Sequence, residues 1–156
     1  GKLFSAVFTE DIADTVLIMI YTGMRPSELL GMKTENIHLS EKYMVGGVKT
    51  EAGKGRVIPI SDKVMPLVRK RYNKENRFFI DMTYPAYSRH FKELMDKLRM
   101  EHLPHDCRHT FASMANTAGV NPTSVKLIMG HASQDLTERV YTHKAVEELI
   151  SAVNMI

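Results

Sequence analysis

One window of this chain departs from the pattern of the rest. Residues 35–60 read as β, while most segments on either side repeat their apolar residues at helical spacing. Inside the window, Asn36–Leu39 is a short strand. Tyr43–Lys49 and Arg56–Ile60 flank TEAGKG, whose two glycines suit a hairpin turn. The proline in RVIPI cannot donate to a ladder, which puts that strand at a sheet edge. A chain with one such window builds one small sheet and closes its core with helices. The expected fold is therefore mainly α with a small three-stranded antiparallel β-sheet, of the α+β class.

The helices are marked by their punctuation. Thr9 can cap a helix over 10–21, with Glu10 and Asp11 favourable in its first turn and Gly23 ending it. Pro26 suits the first position of a short helix, 26–31. Ser61 or Asp62 can cap a helix to about Tyr72, against the presence of Pro66. The apolar RFFI, 77–80, fits either a strand or a buried turn. Thr83 caps 84–99, whose stripe is Tyr87, Phe91, Leu94, Met95 and Leu98. A helix starts near His105 and ends before Gly119. Asn121 and Pro122 open another, 122–129, stopped by Gly130. Ser133 caps one through Val140, and a last one spans about 144–153.

The 156 residues suit one domain, and no low-complexity or Pro/Gly/Ser-rich linker divides them. Lys plus Arg number 21 against 18 Asp plus Glu, a net charge of +3 that permits an anionic partner without demanding one. The basic run VRKRYNKENR, 68–77, can touch a nucleic-acid backbone or stand as a solvated helix end. Cys107 is the only cysteine, so no internal disulfide forms, which fits a reducing cytoplasm. The longest apolar run, VLIMI, is far too short to span a bilayer. The chain starts at Gly1 without an initiator Met or a signal peptide, so it is expected to be a fragment of a longer protein.

The densest chemistry lies in LPHDCRHTF, 103–111. His102, His105, Cys107 and His109 suggest a metal, but Cys107 does not share the face of His105 and His109, and paired C-x2-C spacing is absent. His105 and Arg108, three residues apart near a helix start, instead suit an anion, and the planar fork of Arg matches two phosphate oxygens. Other segments supply comparable groups. TGMRPSELL sets Arg25 between a glycine turn and a proline-started helix, where Glu28 can brace it. The hairpin tip KTEAGKG offers Lys49 and Lys54. MGHAS places His131 just past a helix end, and ERVYTHK brings Tyr141 ten residues later.

TGMRPSELLGM, KTEAGKGRVIPI, PHDCRHTFASMA, LIMGHAS and ERVYTH, in that order, resemble the catalytic domain of the tyrosine recombinase, or phage integrase, family. The resemblance covers roughly residues 9–143. It implies a DNA breaking-rejoining fold, with 1–156 as a single catalytic domain whose parent carries a separate N-terminal core-binding domain. It implies that Tyr141 attacks a DNA phosphodiester to form a 3′-phosphotyrosyl bond, and that a 5′-hydroxyl later reverses the attack. Arg25 and Arg108 would hold the non-bridging oxygens, Lys49 would protonate the leaving oxygen, His105 would assist proton transfer from Tyr141, and His131 would donate to the phosphate. Lys54 is the alternative acid, and Lys54 and Arg56 are expected to contact DNA. No cofactor, metal or ATP is implied. The implied partners are double-stranded DNA, further copies in a DNA-bound tetramer, and accessory DNA-bending or directionality factors.

Two positions depart from the family pattern. Cys107 stands where Leu is common, and the gap from His131 to Tyr141 is one residue longer than usual, an insertion placed in ASQD. The terminal stripe Val146, Leu149, Ile150 and Val153 suits packing on its own domain or on a neighbouring protomer. A type IB topoisomerase, a catalytically dead DNA-binding module and a zinc-stabilised domain are the rival readings. The complete Arg–Lys–His–Arg–His–Tyr set favours the recombinase.

Overall fold

The computed structural model describes residues 1–46, 55–131 and 142–156. Its elements run α1 (Lys2–Ala6), α2 (Ala13–Thr22), α3 (Pro26–Leu30), a 3-10 turn (Thr34–Asn36), β1 (Ile37–His38), β2 (Tyr43–Gly46), β3 (Arg56–Pro59), α4 (Met65–Arg71), α5 (Tyr84–Leu98), α6 (Asp106–Thr117), α7 (Pro122–Met129) and α8 (His143–Val153). The mainly helical chain with one antiparallel sheet is the architecture expected. The strands lie in the order β1-β2-β3, with Ile37 opposite Met44 and Val45 opposite Val57. Pro59 therefore sits on an edge strand, as its missing N–H requires. β3 is buried all the same, because α7 and α8 pack against it.

Where the elements differ from expectation, local hydrogen bonds give the reason. The amides of Thr9 and Glu10 both donate to the carbonyl of Ala6, so Thr9 closes the turn after α1 instead of capping α2. α2 then begins at Ala13, behind Ile12. Similarly, Ser61 organises a turn by accepting from the Lys63 amide at 3.1 Å. That delays α4 until Pro66 occupies its first turn, where no amide is needed. RFFI makes a single antiparallel bridge to the chain after α3, Phe78 opposite Lys33, and buries Phe79 and Ile80: the Phe79 amide donates to Met32, and the Thr34 amide to Arg77. The helix expected over 133–140 and the hairpin tip lie outside the described residues.

Two apolar cores result. The first gathers α2, α4 and α5 around Val16, Ile18, Met19, Val68, Tyr87 and Phe91, and includes Cys107. The second joins β3, α6, α7 and α8 through Val57, Phe111, Ile128, Leu149 and Val153. α8 thus packs on its own domain, and the Asp62 amide donates to its C-cap, Asn154, at 2.8 Å. α6 spans both cores, Cys107 in one and Phe111 in the other. Arg108 lies between them on this helix, and Arg56 lies beside Val57 on β3. The polar site occupies this seam.

Candidate active site

Glu28 is the hub. It stands in the first turn of α3, and its carboxylate is buried to 3% exposure. Pro26 starts that helix without an amide to satisfy, while the Arg25 amide donates to Glu28 Oε1 at 2.9 Å. Arg25 Nη1 lies 3.4 Å from the same oxygen. Arg56 closes on the carboxylate with both terminal nitrogens, Nη2 reaching Oε1 at 3.1 Å and Nη1 reaching Oε2. Arg108 Nη1 stands 3.9 Å from Oε1. Burial pushes the Glu28 pKa up, but the hydrogen bond and charge of Arg56, then the amide and charge of Arg25, outweigh it. The carboxyl is held below its ordinary value.

Arg108 anchors the floor. It is 3% exposed. Nη1 donates to the Gly23 carbonyl at 2.8 Å, and Nη2 donates to the Met129 carbonyl at 2.6 Å. Nη2 also lies 2.7 Å from His131 Nε2. A guanidinium only donates, so His131 accepts at Nε2 and carries its proton on Nδ1. Burial and then the charges of Arg25 and Arg56 bring the Arg108 pKa down to about 10. Burial, followed by the charges of Arg108, Arg25 and Arg56, also lowers that of His131. Both effects favour the neutral ring.

Two left-handed glycines make these contacts possible. Gly23 ends α2 at φ 73° and Gly130 ends α7 at φ 75°. A β-carbon on Gly23 would come within 2.7 Å of Phe111 Cδ1, and one on Gly130 within 3.0 Å of Arg56 Cδ.

The structure thus joins Arg25, Glu28, Arg108 and His131 in one cluster. His105 stands at the start of α6, where its ring packs edge-on against His109 at 5.2 Å. Cys107 turns into the core, away from these histidines. Asp106 accepts from the Leu103 amide at 2.8 Å and supports the start of the helix. Arg56, expected to contact DNA, is 9% exposed and committed to Glu28 and to the Ile128 carbonyl at 2.8 Å. In this structure the side chain acts as an internal brace. Sequence reasoning also missed the Gly23 and Met129 carbonyls that hold Arg108. In the basic run, Arg71 is engaged with Asp14 at the far end of α2. Lys49, Lys54 and Tyr141 lie outside the described residues.

Comparison with known proteins identifies the family. The chain is 31% identical over 153 residues to the integrase of Escherichia phage P2, covering 98% of this chain and 44% of that protein. It is 29% identical over 136 residues to tyrosine recombinase XerA of Saccharolobus solfataricus, covering 86% and 46% respectively. The chain spans about half the length of the curated relatives it matches. Among solved structures, the catalytic domain of bacteriophage HP1 integrase aligns with 97% of this chain and 88% of its own, at 26% identity and TM-score 0.63. The Tn1549 transposon integrase in complex with circular intermediate DNA aligns over 93% and 60%, at 22% identity and TM-score 0.63. With residues 5–148 matching the family as well, the chain belongs to the phage integrase family.

Proposed function

We propose that residues 1–156 form the catalytic domain of a site-specific DNA recombinase that integrates or excises a mobile element through a 3′-phosphotyrosine intermediate. The carrying observation is the charge of the cluster. Three guanidiniums share one carboxylate, leaving a surplus of two positive charges that opens outward through Arg25, 35% exposed, and His131. A preorganised cationic site of this kind stabilises charge that develops on a phosphate in the transition state. Family membership, and the DNA held by the Tn1549 transposon integrase, support the same reading.

In this mechanism the Tyr141 oxygen attacks the phosphorus, and the bond to the 5′-oxygen breaks. Forming the phenolate of a free tyrosine, whose pKa is about 10, costs about 4 kcal/mol at pH 7. His105 helps move the phenolic proton, and Lys49 delivers a proton to the departing 5′-oxygen. Arg25 and Arg108 hold the non-bridging oxygens, and His131 donates from Nδ1–H. One phosphate ester replaces another, so the balance requires no ATP, and the arginines supply the charge a metal would otherwise bring. Double-stranded DNA is the substrate, and copies of the protein pair their active sites in a DNA-bound tetramer, with accessory factors setting direction.

The test is a nicked suicide substrate bearing the end of the element, incubated with the full-length protein. An SDS-resistant adduct is expected with the wild type and not with Tyr141→Phe, which should still bind DNA. An adduct in both moves the nucleophile to another residue. DNA binding without any adduct turns the reading to a binding module on this fold.

A further inference from the structure

We infer that Arg56 is a positioning residue that fixes Arg25 and His131 together, by locking the Glu28 carboxylate to the C-terminal end of α7. Every polar group of its side chain faces inward. Nε donates to the Ile128 carbonyl at 2.8 Å, near the end of α7, while both Nη atoms grip Glu28 on α3. Its stem crosses Gly130, at a point where a β-carbon would lie 3.0 Å from Cδ. The residue after Gly130 is His131, and Glu28 holds the amide and Nη1 of Arg25. One buried side chain from β3 therefore sets two groups that come from separate helices.

The carboxylate makes this lock a requirement. Glu28 lies within reach of Arg25 and Arg108 as well. With Arg56 gone, its freed oxygens would draw both guanidiniums inward, away from an arriving phosphate. Misplacing a catalytic group by about 1 Å can cost about a hundredfold in rate. Substrate affinity would change little, because Arg56 itself is buried.

The experiment compares Arg56→Met and Arg56→Lys with wild type in the full-length protein. Its cleavage arm, single-turnover adduct formation alongside DNA affinity, rests on the recombinase reading. Its second arm, an NMR titration of the His131 ring, does not. The groups facing that ring are Arg108 from α6, Arg25 from α3 and Arg56 from β3, with Glu28 among the guanidiniums. Arg56→Met should cut cleavage about a hundredfold, keep DNA affinity within about threefold, and move the His131 titration up toward the ordinary histidine value. Arg56→Lys keeps the charge but loses the fork, so the titration should stay and cleavage should fall about tenfold. Wild-type cleavage in either variant, or a loss confined to DNA affinity, overturns the lock. Should Arg56→Met fail to fold, the Lys variant decides alone. Should wild type itself form no adduct, the recombinase reading fails, and His131 ring chemical shifts unchanged from wild type in both variants overturn the lock separately.

Discussion

The two arginines proposed to hold phosphate should differ sharply in what they do for stability. Arg108 is buried and donates to the Gly23 and Met129 carbonyls at 2.8 and 2.6 Å. Arg108→Ala strands both acceptors, at about 1–3 kcal/mol each. Some of this returns, because burial and the charges of Arg25 and Arg56 already press the Arg108 pKa down to about 10, so deleting the charge relieves repulsion. A net loss of about 3 kcal/mol is expected. Arg25 is 35% exposed, and its side chain meets Glu28 only at 3.4 Å. Arg25→Ala should therefore cost no more than about 1 kcal/mol. Urea unfolding of both variants measures the difference, with Arg108→Lys as control. A single ammonium cannot reach two carbonyls on different helices, so the Lys variant should recover less than half of the loss. Equal costs for the two alanine variants, or full recovery by lysine, would refute the assignment of Arg108 to the floor. The comparison also bears on catalysis, since lost cleavage in an Arg108 variant must be read after its stability is known.

Glycine positions separate backbone strain from crowding. Gly23→Ala combines φ 73° with a contact of 2.7 Å to Phe111 and should cost about 3 kcal/mol, whereas Gly119→Ala meets nothing within 4 Å and should cost about 1 kcal/mol by thermal unfolding. The folded Glu28 pKa lies below its ordinary value of 4.5, so its stabilisation is complete above that pH and disappears as pH falls through the lowered value. Wild type should lose stability in that acid window more steeply than Glu28→Gln, and parallel denaturation midpoints would contradict the pairing. The lowered His131 pKa has the same sign in a higher window: stability falls as pH drops from the ordinary 6.5 toward the folded value, and His131→Asn should remove that slope. On the hairpin, Lys49→Ala should slow adduct formation more than Lys54→Ala, and the reverse ranking would make Lys54 the general acid.

What the sequence made legible was its punctuation. Gly23, Pro26, Thr83, Asn121, Pro122 and Gly130 each do locally what their chemistry dictates, so the C-terminal end of α2, the starts of α3 and α5 and both ends of α7 fall where expected. α1 was missed because five residues are too few to show a period. Thr9 misled because a capping residue serves equally well in a turn, and the Ala6 carbonyl decided between them. Glu28 as a brace for Arg25 was visible from three-residue spacing. Arg56 was not, because its partners are 28 and 72 residues away and its hairpin setting looks solvent-exposed from local sequence alone.

The placement of Arg108 explains how one carboxylate can govern three guanidiniums. α2 and α7 both end in left-handed glycines, and both direct terminal carbonyls at the same side chain. Each helix C-terminus carries roughly half a negative charge. Two such ends offset the cation of Arg108 without adding a side chain, while Glu28 is gripped by Arg56. Arg25 is then the cation with the weakest compensation, and it is also the most exposed of the three. The positive charge of the site is therefore concentrated at its mouth, where a phosphate would enter, with Arg108 fixed beneath it and Arg56 as its rigid backing.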